Sequence, residues 1–161
     1  MDESKKIKLL SNILRASHFE WRRAALKTNP GQDPMELIGA FWTEVAIDTA
    51  RFYARNIDPK GDVARQFADL FVGSSQAMDE DCTYTGVDEA GCHTVTHTDC
   101  PWYHWHKKEG LLAEDRPGCD RWLEKTAAEV NAALGTCIRF ATDETIPDGG
   151  AVCRRRFWVE G

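Results

Sequence analysis

Between Gly91 and His106 the chain reads GCHTVTHTDCPWYHWH, a stretch that holds four of its five histidines and two of its six cysteines. Imidazole and thiol at this density offer metal coordination, thiolate attack and proton transfer near neutral pH. Spacing restricts the first. On a strand from Cys92 to Thr98, His93 and His97 share a face but stand roughly 13 Å apart at about 3.3 Å per residue, too far to hold one metal unaided. His104 and His106 are two apart on a helix and point to nearly opposite sides. Only His97 with Cys100, or Cys100 with His104, converge locally. Neither pair completes a four-ligand site, and no paired Cys-x-x-Cys spacing accompanies them.

The strand-to-helix corner suits a nucleophile. Asp99-Cys100-Pro101-Trp102 puts a thiol at a helix start, where unpaired N–H groups and the helix dipole favour thiolate. His97 and His104 flank it as candidate proton carriers, and His106 is expected to play no part. The opposing reading makes Cys100 a small buried hydrophobe beneath Trp102 and Trp105.

The elements that must position this corner follow from periodicity. Ile7, Leu10, Leu14, Ser17, Trp21 and Ala25 recur at helical steps and share one helix face, with Asn29-Pro30-Gly31 as the stop. Asp33-Pro34-Met35-Glu36 reads as N-cap, first-turn proline and capping-box glutamate, opening a helix through Ile38, Trp42, Val45, Thr49 and Phe52. Asp58-Pro59 repeats the signal for a third helix through Val63, Phe67, Leu70 and Phe71, fading near Met78. Strand-like pieces follow at 82–85 and 92–98. Pro101 starts a short helix that Gly110 stops, and Arg116-Pro117-Gly118 leads into another, with Cys119, Trp122, Thr126, Val130 and Ala133 on one face and Gly135 as its end. Two closing strands, 136–142 and 151–159, flank Pro147-Asp148-Gly149-Gly150. The expected fold is a single α+β domain over 1–161: a helical half (1–80) packed on a small antiparallel sheet of four or five strands, with two helices inserted between its hairpins in 81–161. The alternative is an all-helical bundle with only a terminal hairpin.

Composition narrows the partners. The chain of 161 residues is 42% hydrophobic and 29% charged, which describes an ordinary globular protein. A net charge of −6 argues against nucleic acid, and Arg154-Arg155-Arg156 is too short a basic cluster to reverse that. No segment reads as a signal peptide or membrane span, so the expectation is a cytoplasmic protein with reduced thiols. The apolar stripes of three helices exceed what one small sheet needs, which predicts a homodimer.

Cys100-Pro101-Trp102, Gly118-Cys119-Asp120, Asn131-Ala132-Ala133-Leu134, Ile138-Arg139-Phe140, Thr145-Ile146-Pro147-Asp148-Gly149, and Cys153 before Phe157 together resemble the bacterial L-2-amino-thiazoline-4-carboxylic acid hydrolase family. The likeness runs through the second half of the chain. It implies that Cys100, Cys119 and Cys153 occupy three recurrent cysteine places. Two departures stand out: Trp122 sits where that family usually has an aspartate, with Asp120 beside Cys119 instead, and the last strand is unusually basic. The closing pattern is also similar to 4-vinyl-reductase-like small-molecule-binding domains, some of which hold zinc through cysteines near these places. Thr145 stands where those domains carry a further ligand cysteine, so a complete zinc site is not carried over.

Opening a carboxylated sulfur and nitrogen ring needs a nucleophile, a proton donor and a cation for the carboxylate. The candidates are Cys100 or Cys119 as nucleophile, His97 or His104 as acid and base with Asp120 nearby, and Arg154 or Arg156 as clamp. Trp102 and Trp122 offer an aromatic wall. Strand alternation sets Arg154 and Arg156 opposite Cys153, Arg155 and Phe157, so only one of these sets enters a given pocket. Two classes remain: a hydrolase or lyase of a compact carboxylated heterocycle or amide, and a ligand- or metal-binding sensory module without turnover. The three cysteines are expected to converge, with zinc as the candidate metal.

Overall fold

The computed structural model describes residues 2–160; Met1 and Gly161, the ends of the expected domain, lie outside the described residues. Over the described residues five helices and four strands run in the order α1 (Glu3–Thr28), α2 (Pro34–Asn56), α3 (Val63–Ala77), β1 (Asp81–Val87), β2 (His93–Asp99), α4 (Pro101–Glu109), α5 (Leu112–Leu134), β3 (Ile138–Glu144) and β4 (Cys153–Val159). Three aspartates open the first three helices. Carboxylates of Asp2, Asp33 and Asp62 accept from the backbone N–H groups of Lys5, Glu36 and Arg65, satisfying donors that a helix start leaves without partners. The third helix therefore begins four residues after the proline signal at Asp58-Pro59. Gly110 and Gly135 end α4 and α5 in the left-handed conformation, at φ 73° and 67°, which glycine adopts without a Cβ penalty.

The strands form one antiparallel sheet in the order β1-β2-β4-β3. This is an α+β fold, and the sheet rules out the helical-bundle alternative. Its core gathers Tyr53 from α2, Phe67 and Phe71 from α3, Val95 and Phe157 from the central strands, and Leu123 and Val130 from α5. Register fixes what lies on the helix-covered face: His97 stands opposite Cys82 on one side and Cys153 on the other, and Val95 stands between Tyr84 and Arg155. Among the described residues no helix is long and apolar enough to cross a membrane.

On α1 the apolar stripe is largely exposed: Ile7, Leu10, Leu14 and Trp21 are 41 to 64% exposed, while Ser11, Arg15, His18, Phe19 and Arg22 are buried. Periodicity identifies faces; it does not say which is covered. The buried polar groups of α1 are matched by partners distant in sequence, such as the Met78 carbonyl, which accepts from Arg15 Nη1 at 2.6 Å. Arg22 forms a buried two-pronged ion pair with Glu114. One expectation is corrected: α5 starts at Leu112 and carries Pro117 inside it rather than at its beginning. Proline removes one backbone donor there, and Gly118 beside it lets α5 close on α2. A Cβ at that position would fall 2.7 Å from Trp42 Nε1.

Candidate functional site

A cavity of about 530 Å³ lies between the inner face of β2 and β4 and the roof of α1 to α5. Its sheet end is polar. His97, from β2, and Cys153 and Arg155, from β4, project there because they share the alternation of the buried face. Directly opposed residues on paired strands lie about 5 Å apart at Cβ, so His97 and Cys153 are immediate neighbours. Cys119 from α5 and Cys100 at the start of α4 line the same space. All three thiols thus face one cavity, and all are free.

Their protonation is set by burial. Cys119 is pushed up to about 12 by loss of solvent, against the pull of Arg155, whose Nη2 lies 3.0 Å from its sulfur. Cys100 is raised well above the ordinary thiol range by burial and then by Glu80. Cys153 rises for the same first reason. Desolvation thus opposes the helix start at Cys100 and favours the thiol over the expected thiolate. Among the described residues no group of three or more His, Cys, Asp or Glu side chains is arranged to hold a metal ion. Zinc held by Cys100, Cys119 and Cys153 would have to displace their protons on binding, which burial opposes.

Arg155 is 3% exposed, and its Nε has no hydrogen-bond partner among the described residues. Asp120, expected in the catalytic set, lies outside the cavity lining, 3.9 Å from the guanidinium and also held by Arg116. The arginines expected as clamp occupy the other face. Arg154 reaches Glu144, and Arg156 makes a two-pronged pair with Asp143. Alternation admits the set containing Cys153 and Arg155, so the basic group that the sheet sends into the cavity is the arginine between the two candidates.

His97 is 4% exposed, and its Nε2 lies 3.0 Å from the Ser75 hydroxyl and 3.2 Å from a Glu80 carboxylate oxygen. Its Nδ1 has no partner among the described residues. The hydrogen bond at Nε2 is made with Ser75, and the negative carboxylate of Glu80 beside it favours the tautomer with hydrogen on Nε2, which leaves Nδ1 as a bare base. Ser75 shares the nitrogen used by Glu80, which excludes a serine-histidine-carboxylate relay through Nδ1. His104, by contrast, is exposed and paired with Asp99 at 2.6 Å, outside the lining. His106 reverses its expectation: it lines the cavity, with Nδ1 2.9 Å from both the Trp102 carbonyl oxygen and Asp115.

The remaining wall is aromatic. Trp102 and Trp122 both line it, as expected, the latter donating from its indole to Thr49 at 3.2 Å. Phe41 and Trp42 join Trp102 around His18. Arg155, Glu80, His18 and His106 escaped the sequence reading. Only Arg155 carried a signal, through its shared alternation with Cys153.

A helical roof over an antiparallel sheet, enclosing a cavity with buried cation, imidazole and thiols, defines the class of fold. The model of the L-2-amino-thiazoline-4-carboxylic acid hydrolase family matches residues 11–157, and the chain belongs to that family. No curated protein matches it. Among solved structures, the phenol-responsive sensory domain of the transcription activator PoxR, with phenol, aligns at TM-score 0.55 and 15% identity, over 89% of this chain and 73% of that one. A trafficking protein particle complex subunit 3 from Naegleria fowleri, covalently bound to palmitic acid, aligns at TM-score 0.57 and 8% identity, over 96% and 97%. At these identities the two share a fold with this chain.

Proposed function

We propose that the protein hydrolyses a compact carboxylated nitrogen and sulfur heterocycle by direct attack of water. Arg155 holds the carboxylate, and His97, fixed by Glu80, removes a proton from the water through Nδ1. The water oxygen bonds to the amidine-like ring carbon, a ring bond from that carbon breaks, and the departing heteroatom takes up a proton. The observation that carries this reading is the pair of unpartnered buried atoms, Arg155 Nε and His97 Nδ1, in one cavity. Covalent attack by Cys100 or Cys119 has less support, because burial favours the protonated form of both.

A second reading, capture without turnover, is favoured by the fold shared with the phenol-responsive sensory domain. Incubating the protein with L-2-amino-thiazoline-4-carboxylate separates the two. A product one water heavier by mass spectrometry, absent with His97→Gln, supports hydrolysis. Binding without product leaves capture, and neither binding nor product removes both readings for this compound. The expected homodimer draws its support from the exposed apolar face of α1, and sedimentation equilibrium tests it.

A further inference from the structure

The cavity is larger than the molecule in the family's name requires. Its volume of roughly 530 Å³ lies within the range of about 300–1,000 Å³ typical of pockets for drug-sized ligands. A carboxylated amino-thiazoline, with about nine non-hydrogen atoms, is smaller than such ligands. The surplus has a chemistry of its own. His18 on α1 is 5% exposed, lines the cavity, and has no hydrogen-bond partner for either ring nitrogen among the described residues. Its ring lies 4.7 Å from Phe41, 5.4 Å from Trp42 and 5.5 Å from Trp102. Burial first, then His106 and Arg22, lowers its pKa to about 4. The imidazole is therefore neutral at pH 7, with one bare nitrogen and one N–H. Buried polar groups are nearly always satisfied, and a box of flat rings around an unsatisfied one has the character of a recognition site.

We propose that the cavity takes an elongated carboxylate whose far end is a planar ring bearing an N–H or O–H, with that donor bonded to the bare nitrogen of His18. The placement of the carboxylate on Arg155 rests on the functional reading above; the role of His18 stands on its own cavity lining and unpartnered nitrogens.

Calorimetric titration with indole-3-propionate, its 1-methyl derivative and its amide tests the two ends separately. In the wild-type protein methylation of the ring nitrogen is expected to weaken binding about ten-fold, since a site that offers an acceptor rejects an analogue lacking the donor. His18→Phe, which keeps the aromatic box, should abolish that difference. The amide should bind about ten-fold more weakly than the acid, a difference that Arg155→Met removes. Equal affinity for methylated and unmethylated ligand in the wild type, or a difference that persists in His18→Phe, overturns the assignment of His18. No binding of any of the three also overturns it. A methylation effect confined to the wild type, with acid and amide equal, sustains His18 and overturns the Arg155 reading instead.

Discussion

Nη2 of Arg155 donates to Sγ of Cys119 across 3.0 Å, tying the last strand to the long fifth helix at the cavity wall. A neutral thiol is a weak acceptor, and Asp120 stands 3.9 Å away, so this buried guanidinium is incompletely satisfied. Such a group fits ligand binding better than stability. Arg155→Met is expected to weaken binding of a carboxylate ligand about ten- to hundred-fold, the range of a charge-assisted hydrogen bond. Its thermal midpoint should stay level or rise. Calorimetry and thermal unfolding on the same preparation check both.

The buried thiols predict alkaline sensitivity. Cys82 and Cys119 are pushed up to about 12 by burial, from an ordinary value of 9.0. Between those values the unfolded chain has released protons that the folded chain keeps, so stability falls as pH rises above 9, by about 1.4 kcal/mol per pH unit for each thiol. Below 9 the contribution is absent. Denaturant midpoints from pH 8 to 11 should drop steeply, and more shallowly for Cys119→Ala.

His18 predicts the acid side. Its pKa is lowered from 6.5 to about 4, so as pH falls through this window the unfolded chain takes up a proton that the folded chain refuses. Stability is lost on going down from 6.5 towards 4, by roughly 3 kcal/mol in all. Chemical denaturation of His18→Phe over the same range should show a flatter profile than the wild type.

Gly118 predicts a packing limit. A methyl group there would meet Trp42 Nε1 at 2.7 Å and Cδ1 at 2.8 Å. Overpacking of this kind costs about 1–3 kcal/mol. Because Trp42 also lines the cavity, Gly118→Ala should lower both the unfolding midpoint and ligand affinity, measured by denaturant titration and calorimetry.

Much of the fold was legible because its punctuation is local. Asp33-Pro34, Gly110 and Gly135 act within one turn of themselves, and strand alternation placed Cys153 and Arg155 on one face. What escaped depends on distant partners. Nothing near His18 announces that Trp42 and Trp102 enclose it, and nothing near Glu80 announces His97. Pro117 misled for a related reason: the turn before it, including Glu114, is locked by Arg22 on α1. The density of histidines that draws attention in the sequence is divided by the fold, with His93 held by Tyr84 and Asp62, His104 outside, and His97 and His106 in the cavity wall.

That division yields the sharpest prediction about catalysis. If His97 Nδ1 is the base and Glu80 sets its tautomer, His97→Gln removes the base, and Glu80→Gln removes the charge that keeps hydrogen on Nε2. Both should reduce turnover of the amino-thiazoline carboxylate by about 100-fold or more, the usual contribution of general base catalysis, with little change in substrate affinity. His104→Ala, altering an exposed side chain paired only with Asp99, should leave kcat and KM unchanged. Cys100→Ser and Cys119→Ser distinguish water attack from covalent attack. Under water attack they retain kcat within a few-fold, whereas a thiolate mechanism loses several orders of magnitude, because a hydroxyl is a far poorer nucleophile. Steady-state kinetics on these five variants decides the matter: undiminished turnover in His97→Gln removes it as the base, and collapse in either serine variant restores the cysteine as nucleophile.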